Sequence, residues 1–215
     1  MSSMNRGWYT AQTSKSGYVD STFHVYSCGN VSSQDSSIST TMSSGAMRVI
    51  LSWPTGSTAV DLDSHITGPD NASGRFHVFY DSKKKFYYAK NDYICSGCSA
   101  SQMSDNVTLD RDEQEAPGTE TVSITTVRSG TYRYSVFDFD NGETANNSSS
   151  TKLANSGASV TIYYNALSNA LSNNPTVYNV QKGGGNLWTV FTFTTSGGLT
   201  EVGTMSYQTT PASIY

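Results

Sequence analysis

Gly130-Thr131-Tyr132-Arg133-Tyr134-Ser135-Val136-Phe137-Asp138-Phe139-Asp140 is the strongest strand signal in the chain. Side chains on a strand alternate between faces. Tyr132, Tyr134 and Val136 therefore share one face, and Phe137 and Phe139 take over the other. That change of face predicts a bulge. The segment ends on two carboxylates spaced two residues apart. The same spacing occurs in Val60-Asp61-Leu62-Asp63-Ser64-His65 and in Leu109-Asp110-Arg111-Asp112.

If these segments meet, like charges face each other across a sheet, which is destabilising. A cation is the simplest way to neutralise them, and hard carboxylate oxygens suit Ca²⁺. Asp61, Asp63, Asp110 and Asp112 are the expected ligands, with Asp138 or Glu120 completing the set. The alternative is three separate, solvated strand ends.

Working outward, other segments repeat the strand pattern. Met47 to Trp53 is stopped by Pro54 and Gly56. Ala59 to Thr67 carries the first acidic pair, and Arg75 to Asp81 is expected to pair with Phe86 to Ala89. Asn106 to Asp110, Glu120 to Val127 and Ser159 to Asn165 follow. Thr176 to Gln181 and Asn186 to Thr195 read as a hairpin around Gly183-Gly184-Gly185. Thr200 to Tyr207 closes the sheet. Residues 166–174 offer the only helical turn. About ten short strands with turn residues between them predict an all-β fold, an antiparallel β-sandwich of Ig-like or jelly-roll-like type. Trp53 and Trp188 lie within strands and read as core.

The 215 residues include 14 Tyr and 8 Phe, which favour strands. Only 14% are charged and the net charge is -4. Lys83-Lys84-Lys85 is the largest basic cluster, which argues against nucleic acid as a partner. No apolar run reaches the length of a membrane span. Met1 to Arg6 has no apolar signal core. Either a signal has been removed before this numbering, or the gene model is truncated, or the protein is not secreted. Sequons at Asn30, Asn71, Asn106, Asn146 and Asn147 favour an extracellular or cell-surface location with N-linked glycans. Cys28, Cys95 and Cys98 allow one disulfide in any pairing, with one thiol left over. A single C-x-x-C without a second pair is a poor zinc site.

Residues 1–27 read as an N-terminal extended arm, polar through residue 16 and a strand from Tyr18. Residues 28–45 are a Ser/Thr-rich linker, and 46–215 form the sandwich domain. Its residues 29–45 can span roughly 50–60 Å when extended. Val19, Phe23 and Val25 share a face of the arm, and Trp8 needs a partner to be covered. These four are the expected assembly residues. By adding to a neighbouring copy as a strand, the arm would build a head-to-tail homopolymer, because such contacts do not close. The bland alternative folds the strand back onto its own domain.

A hydrolase triad has no support. His24, His65 and His77 are the only histidines, and no Gly-x-Ser-x-Gly elbow accompanies them. Nothing divides the Asp pairs into a glycosidase acid and base. The chain therefore reads as a non-enzyme.

In combination, Leu51-Ser52-Trp53-Pro54, Asp61-Leu62-Asp63-Ser64-His65, Leu109 to Asp112, Pro117-Gly118-Thr119-Glu120-Thr121, Gly130 to Val136 and Leu187-Trp188-Thr189-Val190-Phe191 resemble a family of poorly characterised secreted or surface β-sandwich domains. These occur in bacterial and some algal or protist extracellular proteins. The resemblance covers about residues 46–207. Ser64 stands where the family has an apolar residue, and the order Ala116-Pro117-Gly118 departs from its pattern. The resemblance implies a structural or adhesive surface role. The expected function is a self-assembling extracellular fibril subunit. The alternative is a calcium-dependent, carbohydrate- or surface-binding module.

Overall fold

A computed structural model describes residues 5–18, 21–27, 42–80, 106–109, 112–141, 148–164 and 175–215. The chain divides into two compact units, Met1–Ser43 and Ser44–Tyr215. In the first, β1 (Gly7–Thr13) and β2 (Ser21–Ser27) form an antiparallel hairpin with Tyr9 opposite Val25 and Ala11 opposite Phe23. The sequence reading has one strand there and a polar arm before it. Gly7–Thr13, within the stretch read as polar, supplies the second. Phe23 and Val25 lie in β2 and Trp8 of β1 stands opposite Tyr26, while Val19 is outside the described residues.

The second unit contains ten strands among the described residues, in two antiparallel five-stranded sheets. They are β3 (Met47–Trp53), β4 (Leu62–Pro69), β5 (Arg75–Val78), β6 (Val107–Leu109), β7 (Gly118–Ile124), β8 (Thr131–Asp138), β9 (Ser159–Tyr164), β10 (Thr176–Asn179), β11 (Leu187–Thr194) and β12 (Gly198–Ser206). One sheet runs β10-β9-β3-β7-β6 and the other β12-β11-β8-β4-β5. This is the β-sandwich expected from the strand pattern.

Period-two alternation builds the core. In β7, Gly118, Glu120, Val122 and Ile124 are buried, and the residues between them are half-buried. Met47, Val49, Leu51 and Trp53 of β3 join Leu62 and Ile66 of β4, and Tyr132, Tyr134 and Val136 of β8, in one apolar cluster. Trp188 belongs to it too. Each large apolar side chain buried this way contributes about 1.5–3 kcal/mol.

Two expectations are corrected. β8 runs without a bulge against β4, from Leu62 opposite Asp138 to Thr67 opposite Arg133. Its change of face has another cause: Phe137 enters a second small cluster with Leu187 and Ile214. The bulge lies in β11 and β12, where the register shifts between Thr189 and Phe191. Nor do β10 and β11 form a hairpin. β10 pairs with β9, and β11 pairs with β8 and β12, so residues 180–186 cross between sheets. The glycines there allow close backbone approach, because a side chain on Gly185 would run into the Ser206 carbonyl. The expected partner of β5 at 86–89 and the helical turn at 166–174 lie outside the described residues.

Candidate metal centre

Asp61 stands immediately before β4 and Asp63 lies within it. The Trp53 indole N–H donates to the Val60 carbonyl at 2.9 Å, and the Asp61 carbonyl accepts from Phe139 N–H at 3.1 Å. These two bonds fix the entry to β4 between the two sheets. Asp112 follows β6. Carboxylate oxygens of Asp61, Asp63 and Asp112 lie within 4.8 Å of one another. This acidic triad can hold a metal ion.

Asp63 is 1% exposed and its Oδ2 has no hydrogen-bond partner. Asp61 is buried as well, with Oδ1 unpartnered. An unmet buried polar atom costs about 1–3 kcal/mol, and more when charged. Two full charges 4 Å apart repel by about 4 kcal/mol at an effective dielectric of 20. Both effects act here. Burial, then repulsion from Asp112, Asp140, Asp138 and Glu113, pushes Asp61 up to about 7. Burial, followed by Glu120, Asp61, Asp112 and Asp138, raises Asp63 well above the usual carboxylate range. At neutral pH such a group must take up protons or a cation.

Glu120 closes one side of the centre. It is fully buried on β7, and its carboxylate accepts Ser64 N–H at 2.7 Å and Glu113 N–H at 3.3 Å. It thus ties β7 of one sheet to the Ser64 backbone of β4 in the other. Burial lifts it to about 8 against the lowering effect of those bonds. Asp138 does not join the triad. The register sets it opposite Leu62, whereas Asp63 stands opposite Phe137. Its Oδ2 accepts the Asn141 side-chain amide at 2.6 Å. Burial raises Asp138 to about 6, with the Asn141 bond opposing. Asp110 lies outside the described residues. Glu113, whose charge bears on Asp61, was missed in the sequence because it falls outside the two-residue spacing.

His65 and His77 form a buried pair, Nδ1 to Nε2 at 2.9 Å. Both rings stack on Phe79, at centroid distances of 4.9 and 4.4 Å. Burial holds His65 well below its usual range and brings His77 down to about 3, so both are neutral. They join β4 to β5.

Of the sequons, Asn71 and Asn106 are described and half-buried. The Asn106 side chain donates to the Thr126 carbonyl at 2.6 Å and accepts from Arg128 at 3.0 Å. Asn30, Asn146, Asn147, Cys28, Cys95 and Cys98 lie outside the described residues. No helix among the described residues is long and apolar enough to cross a membrane. Comparison with family models, curated proteins and solved structures finds no match. The family resemblance therefore rests on its motifs alone.

Proposed function

We propose that the chain is a structural, adhesive β-sandwich module of an extracellular surface whose folded state is completed by Ca²⁺ at Asp61, Asp63 and Asp112. The observation that carries this reading is Asp63: a carboxylate 1% exposed, one oxygen unpartnered, among carboxylates that repel it. Ca²⁺ accepts six to eight oxygens in flexible geometry, so carbonyls and waters can complete three carboxylates. Mg²⁺ demands near-ideal octahedral geometry and sheds water reluctantly. The ion would link the β4 entry to the segment after β6, and hence one sheet to the other. The test is calorimetric titration of chelator-stripped, full-length protein with CaCl₂ and, separately, MgCl₂. Calcium should bind at a single site and more tightly than magnesium. No heat of binding at about 10 mM calcium, above the ~0.1–1 mM range of extracellular calcium modules, would sink the reading.

A second reading, self-assembly into a fibril, is favoured by the β1–β2 hairpin. It pairs only with itself among the described residues, and an isolated two-stranded hairpin is marginal in water. Both of its outer edges can accept a strand from another copy. Light scattering and negative-stain imaging of the full chain, beside a chain starting at Ser44, test this. Filaments from the full chain alone support it, and monomers from both remove it. N-linked glycans at the sequons belong to the same extracellular reading.

A further inference from the structure

Among the described residues the two sheets of the sandwich end in four edge strands, β10, β6, β12 and β5. An edge presents unpaired N–H and C=O groups, and folds guard it with very short strands, charges, bulges or proline. β6 has only three residues. β5 opens on the exposed Arg75. β12 is long, but its register against β11 breaks, Gly203 takes a φ of 60° there, and Glu201 stands exposed. β10, Thr176-Val177-Tyr178-Asn179, has no charge and pairs with β9 without a register shift. Pro175 before it is its one guard.

The direction of its free groups follows from the ladder. Val180 N–H donates to the Ala158 carbonyl at 2.9 Å, in continuation of the β10–β9 register. Bonded and non-bonded pairs alternate in an antiparallel ladder. Thr176 and Tyr178 are therefore the residues bonded to β9, and Val177 and Asn179 point their N–H and C=O groups to the open edge. The Asn179 carbonyl accepts the Gln181 side-chain amide at 2.9 Å. Val177 is 51% exposed, the most exposed large apolar side chain among the described residues. The strand is held from behind, because Tyr178 stacks on Phe191 at 6.0 Å and packs with Val180 against the main core cluster. An incoming strand thus meets an edge already in its bound shape, which lowers the cost of docking.

The β1–β2 hairpin has the converse need. It pairs only with itself among the described residues, and a two-stranded hairpin gains stability from a third strand. β2, Ser21-Thr22-Phe23-His24-Val25-Tyr26-Ser27, is rich in residues that favour strands and holds no Asp, Glu, Lys, Arg or Pro. Neither it nor β10 sets a like charge against the other. We propose that the open edge of β10 receives β2 from the hairpin of a second copy of this chain. Main-chain hydrogen bonds at Val177 and Asn179 make the joint, and the incoming strand covers Val177. This rests on the self-assembly reading and names the receiving surface. Hairpin and receiving edge are different surfaces, so each copy docks on one neighbour and receives another, and the contact does not close.

The test compares full-length wild type, Val177→Pro, Val177→Lys and Thr200→Lys by light scattering and negative-stain imaging, with thermal melts to check that each variant folds. Val177→Pro removes one outward N–H and no bond of the β9 ladder, a place where an edge strand tolerates proline. Val177→Lys sets a charge on the edge. Both should raise the concentration at which filaments appear by roughly tenfold or more, as expected for a lost hydrogen bond and lost apolar cover. Thr200→Lys, on β12, should assemble like the wild type. Val177→Pro keeps its hairpin, so at about one part in ten it should dock on wild-type ends and shorten the filaments. Wild-type filaments with both Val177 variants assembling at the same concentration would overturn the β10 assignment and leave self-assembly standing. So would a loss confined to Thr200→Lys, which would move the joint to β12. A monomeric wild type would overturn this inference and the self-assembly reading together.

Discussion

Asp61-Leu62-Asp63 and Asp138-Phe139-Asp140 share one pattern in the sequence and have different fates in the fold. The first pair enters β4, and both carboxylates are buried beside Asp112. The second pair leaves β8. The chain turns into a 3-10 segment at Phe139–Asn141, so Asp140 swings into solvent and Asp138 turns to Asn141. Two-residue spacing puts carboxylates on one face only while the backbone stays extended. Spacing proposes a site, and where the strand ends decides whether it forms.

The largest expected effect separates the two pairs directly. Calcium at about 100 times its Kd stabilises a single-site protein by about 2.7 kcal/mol. For a chain of this size that raises the melting temperature by about 5–11 °C. Asp63→Asn should abolish the rise, and Asp140→Asn should leave it intact, in thermal melts of the full chain. Equal loss in both variants would make the two pairs equivalent and break the comparison.

Next in size is Gly118→Ala. Gly118 opens β7 two residues before Glu120, and a methyl there would drive into the Trp53 indole. The expected cost is about 1–3 kcal/mol by denaturant melt, whether calcium is present or not. A loss confined to the calcium form would show that Trp53 supports only the cation site.

In chelator the same carboxylates give an inverted pH dependence. A carboxylate whose folded pKa is raised stabilises the fold while protonated, and loses that contribution as pH climbs from its unfolded value to its folded one. For Asp61 and Glu120 the window runs from about 4 to about 7 and 8. The two histidines act the other way, because their lowered pKa values favour the fold above 6.5 and cost stability as pH falls below it, towards about 3 for His77. Above 6.5 only the carboxylates change. Denaturant melts from pH 6.5 to 8 should therefore show falling stability without calcium and a flat profile with it. Rising stability across that interval in chelator would contradict the electrostatics of the site.

Smaller still, Asp63→Asn in chelator should raise stability, because it removes one charge from a mutually repelling group. About 1 kcal/mol would appear as about 2–4 °C. Asp140→Asn, at the exposed member of the second pair, should stay within about 0.5 kcal/mol in either condition.

The sheets were legible in the sequence because β3, β7, β8 and β11 carry period-two apolar patterns on strands long enough to count. Asp61, Asp63 and Asp112 were legible for the same reason. Three features were hidden. The face change in β8 reads locally as a bulge, since nothing near it announces that Leu187 and Ile214 cover Phe137 from 50 or more residues away. Gly183-Gly184-Gly185 looks like a hairpin turn, because tight turns and close backbone crossings both select glycine. The His65–His77 pair depends on register between strands, which no single segment encodes.

The most direct test is the number of calcium ions held per chain, measured by equilibrium dialysis and atomic absorption on full-length wild type and Asp63→Asn at equal free calcium. One ion on the wild type and none on the variant is the expected result. Equal occupancy of the two proteins, whether one ion or none, would contradict the assignment of Asp61, Asp63 and Asp112 as the cation site.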